Sequence, residues 1–184
     1  MKRKRYLAAA AAAMLFCTAA ALAARRSDLP APVPAAEALA AVATLRHDPQ
    51  FILEVVAGHM GVTLRPDVPP PGIRPESSTP LELLQAAAER QWGFRPDVFT
   101  TTFANATNEI YLIDDARYYA RHGGTPDDSL AHELVHYVQA RYLRDRFSTD
   151  WSESEAVAIQ TWFRNEYMAP RLAAAGVPYT GEER

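Results

Sequence analysis

Two histidines and a glutamate fall within five residues, His132-Glu133-Leu134-Val135-His136, in a stretch of helical periodicity. On an α-helix, residues i and i+4 are surface neighbours with Cβ atoms about 5–6 Å apart. Both imidazoles can therefore converge on one metal ion at Zn–N distances of about 2.0–2.1 Å, with the glutamate beside it. The bland alternative is a surface helix that happens to carry two histidines. With 5 His and 12 Glu in 184 residues, the pattern HExxH arises by chance in about 1% of such chains, so the metal reading is preferred.

The flanking residues are those that a rigid carrier helix needs. Thr125-Pro126-Asp127-Asp128 reads as an N-cap, a proline at N1 and two acids in the first turn. Leu130, Leu134, Val138 and Tyr142 continue an apolar stripe through the motif. A second helix is expected from near Asp150 to about Met168, stopped by Pro170. Phe147-Ser148-Thr149 would be the turn between the two, short enough to return the second helix antiparallel to the first. That topology brings Glu153 and Glu155 back towards the histidines.

Upstream, Ala35 to Arg46 and Phe51 to His59 read as short helices, the second closed by Gly61 near its C-cap. Six prolines between Pro66 and Pro80 predict a surface loop. Thr79-Pro80-Leu81-Glu82 reads as a capping box that opens a helix to about Gln91, with Gly93 beyond it. Val98 to Phe103 and Glu109 to Asp114 flank Asn105-Ala106-Thr107-Asn108 and predict a β-hairpin. The expected class is α+β: one small domain over residues 35–184, mostly helical, with a short hairpin or sheet.

A catalytic zinc takes three protein ligands and keeps one position open. The only cysteine is Cys17, in the export segment below, so a carboxylate or a third histidine must complete the set. The longer pattern HExxHxxGxxH fails, because Gln139 and Tyr142 stand where Gly and His are needed. His47, His59 and His122 are isolated in other segments and read as solvated or core side chains. The stretch Trp151 to Gln160, taken with HExxH, resembles the gluzincins, zinc peptidases in which a glutamate on the following helix completes the site.

The resemblance covers about 30 residues, from Thr125 to Gln160. It implies a zincin-like fold, one Zn2+ per chain held by His132, His136 and a glutamate, and a metal-activated water with Glu133 as its general base. It also implies a peptide or protein substrate added as an extended strand to Glu109–Asp114 as the sheet edge. Sixteen residues separate His136 from Glu153 and eighteen separate it from Glu155, and both spans suit the family. Residues two apart on a helix point about 200° from each other, so one of them faces the metal. Glu153 is favoured because many relatives place a small residue three positions after the ligand, and Ala156 stands there; Glu155 is the alternative. An acid that often supports that ligand four residues on is replaced by Val157, which leaves Gln139 or Gln160 to orient a ligand. Tyr118, Tyr119, Tyr137, Tyr142 and Tyr167 compete as oxyanion donors. A catalytically inactive envelope binding module with the same fold is the rival reading.

Residues 1–24 read as an export signal. Lys2-Arg3-Lys4-Arg5 is the charged region, Tyr6 to Leu22 the apolar one, and Ala21-Leu22-Ala23 an AxA-like cleavage site. A retained anchor is disfavoured by the weak hydrophobicity of alanine, and Phe16 before Cys17 speaks against lipidation. Residues 25–34 form a proline-rich tether. Without the signal the chain keeps 15 basic and 22 acidic residues and no lysine, a net charge of about −7. That balance argues against nucleic acid or anionic lipid as a partner, and with the signal cleaved no stable membrane insertion is expected. Export predicts a mature N-terminus after Ala23 or Ala24, read by intact mass; an envelope form that still begins at Met1 contradicts it.

Overall fold

The computed structural model describes residues 42–143, 149–168 and 170. The export segment (1–24), the tether (25–34), the first part of the Ala35–Arg46 helix and turn residues Phe147 and Ser148 lie outside the described residues. Helix α1 spans Pro49–His59, strand β1 Gly72–Pro75 and helix α2 Leu81–Trp92. Strands β2 (Thr102–Ala104) and β3 (Glu109–Leu112) follow. Helices α3 (Ala116–His122), α4 (Pro126–Tyr142) and α5 (Thr149–Trp162) complete the order, and α5 runs on into a π-helical stretch, Phe163–Met168. The described chain is thus α+β.

Helix α4 is the axis of the fold. Eleven of its seventeen residues are buried, so it must be covered on nearly every side, and α1, α5, β2 and β3 all pack against it. Leu130, Leu134, Val135 and Val138 meet Ile52 and Val56 of α1, Phe103 and Ile110 of the sheet, and Ala156 and Phe163 beyond. Fully burying each large apolar side chain contributes about 1.5–3 kcal/mol.

The start of α4 is fixed by paired hydrogen bonds. The Thr125 hydroxyl accepts from the Asp128 amide, and Asp128 Oδ1 accepts from the Thr125 amide at 2.8 Å, which satisfies two donors that a helix start leaves without partners. Asp128 also pairs with Arg164. Gly124 has φ +85°, and a Cβ there would lie 3.2 Å from both Asp128 oxygens; only glycine suits both the backbone and the space. Buried Asp127 accepts from the amides of Arg46 and His47 at 3.0 Å each and faces His47 Nδ1 at 2.9 Å.

The segment held by Asp127 is not the end of a helix, as Ala35–Arg46 had suggested. Residues 42–46 are extended: Val42 bridges Asp115, and the Ala43 amide donates to the Asp114 carbonyl at 2.7 Å. Fixing this segment by sheet-like and side-chain bonds outweighs the helix propensity of alanine. The proline-rich loop also holds a strand. β1 pairs in parallel with β3, in the order β1-β3-β2, and its single proline sits at its end, where a missing amide is tolerated. Asn108 holds the preceding loop through the carbonyls of Pro69 and Pro70. The capping box at Thr79 does not form, because Pro80 is the N-cap of α2 and no side chain caps it. The C-cap at Gly93, φ +76°, agrees with expectation.

Helix α5 returns antiparallel, since Gln139 meets Ser152, His132 meets Glu153 and Asp128 meets Arg164. Its buried stripe is Ser152, Ala156, Ile159 and Phe163, and small residues at the first two positions let the helices approach closely. Replacing Ala156, which is fully buried, by Leu is expected to push α5 off α4 and destabilise the fold by about 1–3 kcal/mol in urea unfolding. A Leu variant as stable as the parent would show that this contact tolerates separation.

Candidate metal centre

Three side chains converge at the α4–α5 contact. His132 Nε2 and His136 Nε2 are 3.2 Å apart. Glu153 Oε1 lies 3.1 Å from the first and Oε2 lies 3.2 Å from the second. Four ligands held tetrahedrally at about 2.0–2.1 Å are separated from one another by about 3.3 Å, so this triangle has the size of one face of such a site. The three ligating groups lie within 4.8 Å of one another and fit a metal ion.

The surroundings are uneven. The histidine side chains are 15% and 18% exposed and Glu153 is 61% exposed, so the cluster opens to solvent on the α5 side. Hydrogen bonds from His132 and then His136 hold the Glu153 carboxyl well below the usual carboxylate range. For His136, burial opposes charging, but Glu153, Glu133 and Gln139 outweigh it and raise the imidazole above its ordinary value. Among the described residues, the buried His132 Nδ1 has no hydrogen-bond partner. Such a ring nitrogen is costly by about 1–3 kcal/mol, which suits a histidine held in place for its other nitrogen.

Glu133 is buried beside the pair and accepts from the Phe103 amide at 2.8 Å. Burial raises its carboxyl above the ordinary range, against the pull of His132, His136 and that amide. Phe103 is the residue sequence reasoning missed, because any residue type can supply a backbone amide.

Glu155 does not join the triangle. It accepts from Gln139 Nε2 at 2.9 Å, and Gln139 Oε1 lies 3.0 Å from His136 Nδ1. At 100° per residue, Glu153 and Glu155 flank the buried Ser152–Ala156 stripe by about 80° on either side. Both therefore reach α4, one at the histidines and the other at Gln139, and neither turns away as their 200° separation suggested.

The other histidines are elsewhere: His47 on Asp127, His59 stacked on Trp162 and His122 against Tyr118. Among the tyrosines, Tyr119 donates to the Ile113 carbonyl and Tyr137 to the Pro69 carbonyl, and burial pushes the Tyr137 hydroxyl up to about 12. Tyr142 accepts from the Arg65 amide, Tyr118 meets Tyr119 edge-on and Tyr167 stacks on Phe163. A cavity of about 320 Å³ that Tyr137 and Tyr142 line with Leu53, Leu64 and Arg65 is separate from the histidine cluster.

The edge-strand expectation is overturned. β3 is the central strand, because β1 covers the side that the sequence left open. The strand beside Glu133 is β2, in which Phe103 faces Ile110. Its amide donates to Glu133, its carbonyl accepts from Gln91 Nε2 at 3.3 Å, and Gln91 Oε1 accepts from the Asn105 amide. Compared with family models, curated proteins and solved structures, the chain matches none.

In zinc titration under one chelator buffer, Glu153→Gln is expected to weaken binding by more than the about 10- to 100-fold typical of an outer partner. Glu155→Gln should keep stoichiometric zinc. A larger loss for Glu155→Gln would make Glu155 the ligand, and equal small losses would place the ligand elsewhere.

Proposed function

We propose that the protein is an exported zinc-dependent peptidase of zincin-like fold and gluzincin type. The carrying observation is the triangle of His132, His136 and Glu153 with buried Glu133 on the same helix. His132, His136 and Glu153 would hold one zinc ion per chain. When bound, zinc supplies Lewis acidity that polarises a carbonyl and brings the pKa of water to about 7.

The remaining roles belong to this chain. Glu133 has one oxygen fixed by the Phe103 amide, and the other accepts a proton from water and passes it to the leaving amine. Its raised carboxyl is the better base for that work, since base strength grows with pKa. The exposed flank at Glu153 admits a peptide or protein substrate. No helix among the described residues is long and apolar enough to cross a membrane, and export with signal removal is the reading carried from residues 1–24.

One observation favours a second reading, an envelope binding module without turnover. The outward amide and carbonyl of Phe103 are already taken by Glu133 and Gln91, so a peptide strand would have to displace both. Glu133→Gln separates the readings. As a peptidase, the variant keeps its zinc and loses about 10²- to 10⁴-fold in hydrolysis of a peptide library. Unchanged hydrolysis removes Glu133 as the base, and no hydrolysis by either form supports the binding module.

A further inference from the structure

Gln139 follows His136 by three residues on α4 and is 1% exposed. Its Nε2 lies 3.0 Å from the Ser152 carbonyl oxygen and 2.9 Å from Glu155 Oε2. A carbonyl and a carboxylate only accept, so the amide must present its NH2 end to them. The opposite end, Oε1, is then the one 3.0 Å from His136 Nδ1. That oxygen also only accepts, so Nδ1 must carry a hydrogen. Turning the amide round would set its oxygen against two acceptors in a buried place.

The consequence falls on the other ring nitrogen. A neutral imidazole carries one hydrogen, so with Nδ1 protonated, Nε2 turns a lone pair towards Glu153 Oε2 and His132 Nε2, each 3.2 Å away. Glu153 pulls the other way, because a carboxylate beside Nε2 favours a hydrogen there. Such a hydrogen would tie His136 to Glu153 and remove the lone pair that a cation needs.

We propose that Gln139, oriented by Ser152 and Glu155, is a positioning residue that fixes His136 as the Nδ1–H tautomer and keeps its Nε2 lone pair turned into the cluster. Its benefit to metal binding rests on the metal-centre reading above; the tautomer does not. Glu155 thereby acts two bonds away from the centre, through an amide whose direction it helps to set.

The test uses the full chain labelled with 15N at histidine, metal-free and above the pH range in which imidazoles titrate. The parent is expected to carry the His136 hydrogen on Nδ1, and Gln139→Leu to move it to Nε2. Under chelator-buffered zinc, Gln139→Leu should weaken binding by about 10- to 100-fold with stoichiometry kept. The pair Gln139→Glu with Glu155→Gln restores an acceptor against Nδ1 and a donor at position 155. It should bring affinity to within about threefold of the parent even if folding stability stays lower, a recovery that a purely structural role does not produce. Nε2–H in the parent, or parent-like affinity in Gln139→Leu, overturns the proposal. If the parent binds no zinc, the metal-centre reading falls, and the tautomer comparison still decides the role of Gln139. If Gln139→Leu does not fold, the parent tautomer and the paired variant decide it.

Discussion

A helix that carries polar ligands on one face and is buried on most others sets the terms for this fold. Buried along most of its length, α4 must satisfy its polar groups from within the protein. Asp127 takes the extended segment before α1, Asp128 takes Thr125 and Arg164, Glu133 takes Phe103, and Gln139 takes α5. Each of these bonds also locates a neighbouring element. The polar needs of α4 thus organise the packing around it, and the apolar stripe fills what lies between. Breaking one such bond leaves a buried group without its partner, so moving one of these elements alone carries a cost.

How much was legible in the sequence follows from how local each interaction is. Thr125, Pro126 and Asp128 cap their own helix, so the start of α4 could be read directly. Gly93 closes α2 by its own left-handed backbone. The i, i+4 spacing of His132 and His136 likewise needed only helix geometry, and a short return brought both Glu153 and Glu155 towards them, with the preference for Glu153 coming from the gluzincin resemblance. Interactions between distant segments were not legible. β1 exists because β3 offers it a parallel partner, and no turn signal announces a parallel pair. Residues 42–46 are extended because Asp127 and Asp114, about seventy or more positions away, hold them. Glu155 was judged by angle alone, whereas the small side chains of Ser152 and Ala156 bring the helices near enough for both flanks of α5 to touch α4.

The site draws its side chains from two helices of different burial. His132, Glu133 and His136 share one largely buried helix, and Glu153 comes from the margin of α5 with most of its side chain in solvent. The α5 contact stripe determines how far Glu153 stands from the histidines, so packing at Ala156 and geometry at the centre are one problem. Gln139 links the same two helices from the other flank through Ser152 and Glu155. The centre is therefore bracketed on both sides of the helix contact.

Two arrangements would balance the charge at this place. Glu153 is held ionised by the imidazoles, while burial raises the Glu133 carboxyl against the pull of His132, His136 and the Phe103 amide. With both carboxylates ionised and both imidazoles neutral, the four groups would carry a net charge of −2, and among the described residues no arginine is among the groups that shift either carboxyl. Protons on the two imidazoles are one way to balance it: a hydrogen on Nδ1, which the Gln139 amide favours, is present in the charged ring as well, and Gln139 helps to raise His136. A single divalent cation would be the other way, because it would balance both carboxylates at once and use both Nε2 lone pairs.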